Sequence, residues 1–434
     1  MNWTAILVIS MLMMGMLMTN TRAVNFEFTP GRRWYVGGDF KSVIKGDTSS
    51  MEVNNIAYFD GKEWYSFAGN GTNGPVDVVH VDLCYNVYIG GRFTTIDGKP
   101  FHYVAKYDYF SRTWKKLTNP EWFSNPSSNT TVKAISTNCA RVQGFCSCSV
   151  IIGGHFVMKH EEEEAVHVAR LLPAAADAPY TLDALGGQEN HKFAKDTGMV
   201  HAIHKKNWGS TVAVQYIWVG GHLKSTSNAS IYFGRIELNN NKKWEDFTAI
   251  DGNVNGLVRQ FAYYPQTIGF TDEMYVVGDF NFEGTANKAI CQYICHFDHA
   301  LKRWITLGDS TGSTQPNGPV YTLGLNGKHL FIGGDFENTL EKSEGSGYTI
   351  NDRSQKDAIG SSIVTHLSVC GDYDLSCKGG SIAVAGTNNL LRFYNTKLDK
   401  WVPFNGGTSG QVNSIVTNFQ WRGSENYNPF TTAS

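Results

Sequence analysis

Trp34-Tyr35-Val36-Gly37-Gly38-Asp39-Phe40 sets the architecture, because the chain repeats it. It recurs as Val87-Tyr88-Ile89-Gly90-Gly91-Arg92-Phe93 and as Val150-Ile151-Ile152-Gly153-Gly154-His155-Phe156. It returns as Ile217-Trp218-Val219-Gly220-Gly221-His222-Leu223 and Met274-Tyr275-Val276-Val277-Gly278-Asp279-Phe280. The sixth copy is Leu330-Phe331-Ile332-Gly333-Gly334-Asp335-Phe336, and a worn seventh is Ile382-Ala383-Val384-Ala385-Gly386-Thr387-Asn388. The last position falls at 40, 93, 156, 223, 280, 336 and 388, in steps of 53, 63, 67, 57, 56 and 52 residues. Self-similarity at such a period marks a repeat architecture.

Working outward, each repeat reads as four short strands. Strand a is an alternating segment after an Asn-Gly turn, as in Asn73-Gly74-Pro75-Val76, Asn255-Gly256-Leu257-Val258 and Asn317-Gly318-Pro319-Val320. Asn-Gly supplies the positive φ that tight turns need. Strand b is the Gly-Gly motif, whose unbroken apolar run predicts burial on both faces. Its glycines allow a close backbone approach or a bulge. Strand c ends in an aromatic followed by Asp or Asn, and strand d opens with Trp. The pairs are Phe59-Asp60 with Trp64, Tyr107-Asp108 with Trp114, Phe297-Asp298 with Trp304, and Tyr394-Asn395 with Trp401, with a weaker Leu238-Asn239 and Trp244. The Asp or Asn suits the hairpin turn, and the aromatics are packing between stacked sheets.

Seven such four-stranded antiparallel units predict an all-β, seven-bladed β-propeller over residues 24–421. The first repeat begins with strand b and lacks strand a, while Gly410-Gln411-Val412-Asn413-Ser414-Ile415-Val416-Thr417 is an unpaired strand a. The C-terminal strand is therefore expected to close the first blade and remove an exposed edge. Residues 422–434 form a tail. Three places break the pattern. Blade three inserts His160-Glu161-Glu162-Glu163-Glu164 and has no Trp, with Pro179-Tyr180-Thr181-Leu182 standing in for strand d. Blade six loses the c/d signature in a polar stretch, Glu341–Asp357, and blade seven lacks the double Gly. Six blades with an odd insert is the alternative.

Met1 to Ala23 reads as a secretory signal, with an apolar core too short for a comfortable membrane span and small residues at Thr21 and Ala23 before the cleavage point. An uncleaved anchor is the alternative. No later run reaches the ~18 apolar residues of a membrane helix, so the mature chain is expected to carry no transmembrane segment. A formal charge of −2 over 434 residues argues against nucleic-acid or membrane-surface binding driven by net charge. Eight Cys suit disulfides in an oxidising compartment. The preferred bridges are Cys139 with Cys146 or Cys148, and Cys370 with Cys377. Cys291 and Cys295 lie ~13 Å apart if extended, too far to bridge each other, and Cys84 has no evident partner. Asn70, Asn129 and Asn228 are glycosylation acceptors in turn-like contexts.

The Gly-Gly strand, the aromatic-Asp turn and the Trp resemble the kelch-type propellers of the galactose-oxidase-like superfamily. The form Gly-Gly-x-Phe with Asn-Gly-x-Val is similar to the extracellular repeats of fungal cortical polarity-marker proteins. The resemblance implies the fold; enzymes and adhesion proteins share such repeats. It departs from the copper-radical oxidases, because no Tyr/Tyr/His/His copper set aligns here, and no catalytic residue is carried over.

Asp39, Arg92, His155, His222, Asp279 and Asp335 occupy one place in successive repeats and should project near one rim. They are either a ligand-binding polar ring or plugs that satisfy backbone groups at strand ends. The run His160–Glu164 with His167 is either a cation site or, as charge runs usually are, a solvated loop. The sequence has no zincin motif or P-loop. The reading is a secreted binding module for an extracellular protein or glycan, with no cofactor, metal or catalytic residue assigned. The alternative is an extracellular carbohydrate-active oxidase or hydrolase with its site at one end of the channel.

Overall fold

The structure is a computed structural model. It describes residues 33–417 except 83, 125, 143–144, 174–179, 186–192, 209–213, 239–243, 265–272, 299–300, 308–314, 327–328, 337–362, 371–380 and 396–399. Among the described residues it holds six four-stranded antiparallel sheets. Blade one joins Gln411–Thr417, Trp34–Asp39, Ile56–Phe59 and Trp64–Ser66. Blades two to five begin on Val76–Val81, Thr131–Val142, Phe193–Trp208 and Leu257–Tyr264, and blade six on Val364–Cys370. These first strands, with Val320–Asn326 between the last two, touch one another in succession around a closed ring, so they are the innermost strands and the others fan outward.

The expected seven four-stranded blades are thereby corrected to six. The repeat at Leu330–Phe336 forms a two-stranded ladder among the described residues, His329–Gly334 against Val320–Asn326. It sits between blades five and six: Leu323 N–H donates to Gln260 Oε1 at 3.0 Å, and Leu367 N–H to Thr322 Oγ1 at 3.1 Å. The physical reason lies in its sequence. Outer strands are held by the aromatic-Asp turn and the Trp, and this repeat has neither. The polar stretch Glu341–Asp357 that replaces them lies outside the described residues, as do residues 1–23, read above as a signal, and residues 422–434.

The chain ends do meet. Trp34 pairs with Thr417 and Asp39 with Gln411, so the tail strand completes blade one. Blade three closes on Thr181–Asp183, the stand-in for the missing Trp strand, with Leu171 opposite Leu182.

The c/d signature works as its chemistry requires. Each aromatic stands directly opposite its Trp: Phe59 and Trp64, Tyr107 and Trp114, Phe297 and Trp304, Tyr394 and Trp401. Such cross-strand aromatic pairs are a unit of sheet stabilisation. Trp304 is wholly buried, and its ring lies 4.7 Å from that of Phe297. The neighbouring Asp caps the turn: Asp60 accepts the N–H groups of Lys62 and Glu63, Asp108 that of Ser111, and Asp298 that of Leu301. Blades then stack through aromatics; Phe404 at the end of blade six packs on Trp34, Phe59 and Trp64 of blade one.

The two glycines of the motif do different work. A Cβ on the first would strike the next blade's innermost strand: on Gly37 it would lie 2.5 Å from Val76, and on Gly90 2.6 Å from Val132. A Cβ on the second would strike backbone inside its own blade: on Gly38 it would lie 2.1 Å from the Gln411 carbonyl oxygen, and on Gly154 2.0 Å from that of Thr131. The first glycine therefore sets blade-to-blade distance. The second permits a bulge in the innermost strand.

Among the described residues no cysteine is free. Cys139 and Cys148 are bridged, one of the two partners expected for Cys139. Cys291 and Cys295 are also bridged, against expectation. The strand between them is not extended. Tyr293 adopts φ 61°, a bulge that brings the two Cα atoms to 5.2 Å. Cys84 is disulfide-bonded as well. Cys370 ends a described strand, but Cys377 lies outside the described residues.

Candidate functional site

Seven times, the ladder between strand a and the Gly-Gly strand slips by one residue beside the second glycine. Gly91 pairs with Val76 and Gly90 with Val78, which ejects Asp77. The same slip ejects Lys133, His201, Arg259, Tyr321, Thr365 and Asn413. A bulged residue leaves the ladder and re-aims its side chain, and here every one is polar or carries a polar tip. All seven sit at equivalent places on the innermost strands, so they line one end of the central channel.

Adjacent bulge residues meet around this rim. Asn413 Nδ2 donates to Asp77 Oδ1 at 3.3 Å, and Lys133 Nζ lies 3.8 Å from the same oxygen. The Arg259 guanidinium lies 4.4 Å from the Tyr321 ring centroid, within cation–π range. Asp77 is 7% exposed and also accepts Thr131 Oγ1 at 2.8 Å. Burial lowers the His201 pKa to about 4, helped by the positive charges of Lys133 and Arg259. His366, next to Thr365, is held at about 4 by burial and by the same two cations. Burial raises the Tyr321 hydroxyl, with Arg259 pulling the other way. At neutral pH the rim thus carries neutral imidazoles beside fixed cations.

The six residues singled out by repeat position divide into three pairs. Arg92 and Asp279 join the bulge ring: Arg92 Nε lies 3.3 Å from Asp77, and Asp279 is held by Arg259 through bonds of 2.9 and 2.7 Å. His155 and His222 turn aside. His155 Nδ1 bonds the Gly198 carbonyl at 2.7 Å and its ring stacks on His167, while His222 stacks on Tyr232. Asp39 and Asp335 are exposed; Asp39 pairs with Gln411 beside the Asn413 bulge, and Asp335 acts electrostatically on Tyr321. Of the six, His155 bonds a backbone carbonyl, one that lies within the strand Phe193–Trp208. The bulge residues themselves escaped the sequence reading. Their signal was present: each follows the Val that pairs with the second glycine, as Asp77 follows Val76 and Arg259 follows Val258.

The acidic run resolves as a hairpin turn. His160 pairs with Glu163, Glu161 takes φ 53°, and Glu164 meets Lys195 at 2.6 Å. His167 lies apart from it, fully buried, with Nε2 on the Ala194 carbonyl. Among the described residues one group has metal-ligand spacing, Asp82 with Cys139 and Cys148. Those two sulfurs are bonded to each other, so they offer no thiolate to a cation. No described helix is long and apolar enough to cross a membrane.

The fold and rim define a β-propeller with a polar mouth on its axis. No protein-family model matches the chain. No curated protein matches its sequence. Among solved structures, a DUF4784 family protein from Bacteroides caccae is 10% identical, with 90% of this chain and 74% of that one covered at a TM-score of 0.32. The extracellular domain of a hybrid two-component system protein from B. thetaiotaomicron is 13% identical, with 83% of this chain and 52% of that one covered at 0.30. A fungal alcohol oxidase of the AA5 family, in complex with copper, is 8% identical, with 87% of this chain and 75% of that one covered at 0.22. Likenesses this low carry no argument about activity or ligand.

Proposed function

We propose that this chain is a secreted, glycosylated binding module that takes an extracellular glycan or protein partner at the rim of its channel. One observation carries the reading: seven equivalent bulges present Asp77, Lys133, His201, Arg259, Tyr321, Thr365 and Asn413 at a single mouth. Packing does not require polar side chains there, since the same slip would accept any residue. A rigid ring that offers mixed donors, acceptors and an aromatic face suits a hydroxyl-rich ligand. The bridges Cys139–Cys148 and Cys291–Cys295 favour an oxidising compartment. Asn70, Asn129 and Asn228 are all exposed, as acceptors of glycans must be.

The test is a screen of purified protein against a glycan array and against surfaces of the cells that secrete it, repeated with Tyr321→Ala. Binding lost in the variant supports the reading. A monodisperse protein that binds neither surface counts against it. Peroxide release from sugars would replace it with the oxidase reading.

A further inference from the structure

We propose that the end of the propeller opposite the polar mouth is a docking face for a protein partner with an acidic surface, gripped by a strip of aromatic side chains across blades one and two. The proposal does not depend on what the mouth binds.

Strand direction defines the two ends of the ring. In blade two, Val76 pairs with Gly91 at the mouth, where Asp77 is ejected, and Val81 pairs with Val87 at the far end. Strands c and d continue the alternation, with Tyr107 opposite Val87 and Asp108 opposite Thr113 at the far end. Loops from strand d to strand a and from b to c therefore emerge at the mouth. Turns from a to b and from c to d emerge at the far end.

Glycan acceptors and exposed hydrophobic side chains separate along this axis. Asn70 and Asn129 each lie between a strand d and the next strand a, and Asn228 lies between strands b and c of blade four. Every Asn-x-Ser/Thr acceptor after residue 23, with x other than Pro, thus stands at the mouth end. Among the described residues the exposed large hydrophobic side chains are Tyr65, Phe110 and Leu301. Phe110 and Leu301 sit in turns from c to d, and Tyr65 stands opposite Tyr58 at the start of a strand d, so all three are at the far end. A glycan is bulky and solvated and keeps partners off the end that carries it, which leaves the far end bare.

The aromatic side chains there form one strip. The Tyr65 ring stacks on Tyr58 at 5.1 Å. The Arg33 guanidinium lies 5.0 Å from the Tyr58 ring centroid and 5.8 Å from that of Tyr109, which joins blade one to blade two. Tyr109 then meets Phe110 at 5.6 Å and Tyr85 at 5.9 Å. Phe110 ends the strip, 73% exposed. Tyr, Phe and Arg are the side chains that anchor protein interfaces. The turns that carry them are already fixed: Asp60 accepts the Tyr65 hydroxyl at 3.1 Å, and Asp108 accepts the Ser111 N–H at 2.8 Å. A partner therefore meets a surface that needs little ordering. With those aspartates engaged, the exposed charges of the described c-to-d turns are Lys62, Arg112 and Lys302 against Glu63. That excess favours an acidic partner and opposes the same face of a second copy, whose like charges repel.

The experiment measures binding of labelled protein to three surfaces: the cells that secrete it, the same cells shaved with protease, and vesicles of phosphatidylserine and phosphatidylcholine. All proteins carry Tyr321→Ala, which silences the mouth. Ser111→Asn, followed as it is by Arg112 and Thr113, creates a glycan acceptor beside Phe110. Phe110→Asp is the second variant and needs no glycan. Intact cells should bind the parent, and each variant should weaken that binding about tenfold or more at an unchanged melting temperature. Shaving should abolish it, and so should about 1 M salt, which confines charge interactions to ~3 Å. Unchanged binding in both variants overturns the proposal, and so does a parent that leaves intact cells unbound. Binding that survives shaving and extends to vesicles overturns the protein partner in favour of lipid. A dimer in sedimentation that Phe110→Asp dissolves overturns it in favour of a second copy.

Discussion

Ser414 Oγ accepts the main-chain N–H of Val79 at 3.0 Å across 335 residues of sequence. The bond links the strand that closes blade one to the innermost strand of blade two. Its equivalents recur around the ring, Gln260 to Leu323, Thr322 to Leu367 and Ser368 to Thr417. Each is a side chain on one inner strand that satisfies a buried N–H on the next. The ring is thus tied by side-chain-to-backbone bonds as well as by aromatic stacking.

Removing Ser414 Oγ leaves the Val79 N–H buried and unpaired. Ser414→Ala should cost about 1–3 kcal/mol, the penalty for an orphaned buried donor. Urea unfolding followed by tryptophan fluorescence measures it. A loss below about 0.3 kcal/mol would mean that water replaces the hydroxyl.

The second glycine of each motif faces backbone that has no way to yield. Gly154→Ala would place a methyl 2.0 Å from the Thr131 carbonyl oxygen. It should cost more than about 3 kcal/mol or prevent folding, since overpacking against backbone forces strands apart. Gly61→Ala is the control: its Cβ would meet nothing within 4 Å, and only its φ of 98° opposes the change. That substitution should cost about 1–2 kcal/mol. Equal losses at the two sites would refute the steric account.

Peptide mapping under non-reducing conditions should recover Cys139 joined to Cys148 and Cys291 joined to Cys295. Cys139→Ser with Cys148→Ser should lower stability by about 2–3 kcal/mol, the loop-closure value for so short a ring. A mapped Cys139–Cys146 peptide would contradict the structure.

His167 is fully buried, and burial holds its pKa at about 4 against 6.5 in the open chain. The folded state therefore binds the proton less readily than the unfolded state. Stability is fully present above pH 6.5 and drains as pH falls from there to about 4. The loss from this one group is on the order of 3 kcal/mol. His80, His201 and His366 are depressed in the same direction and steepen the same limb. Melting temperature against pH should drop through this window, and His167→Gln should flatten the drop. An identical slope in the variant would remove His167 from the account.

Repeat period, glycine pairs and the orphan strand at the tail were enough to call for a ring of antiparallel sheets closed by its own end, because each records contacts that every blade must make. The aromatic opposite each Trp was equally legible, being a local hairpin pair. Blade count was not: Gly333-Gly334 promises a blade, but four strands also need an outer hairpin, and the sequence after Phe336 supplies no turn or Trp to fold one. The Cys291–Cys295 bridge depended on Tyr293 leaving the extended conformation, a slip imposed by the partner strand rather than by the residues between the sulfurs. The rim was hidden for the same reason. A bulge arises where two strands distant in sequence approach around a glycine, so which side chain is thrown toward the axis is fixed only when that register is made. Chain chemistry alone therefore expected six repeat-equivalent residues near one rim; the packed ring decided that Arg92 meets Asp77 and Asp279 meets Arg259 there.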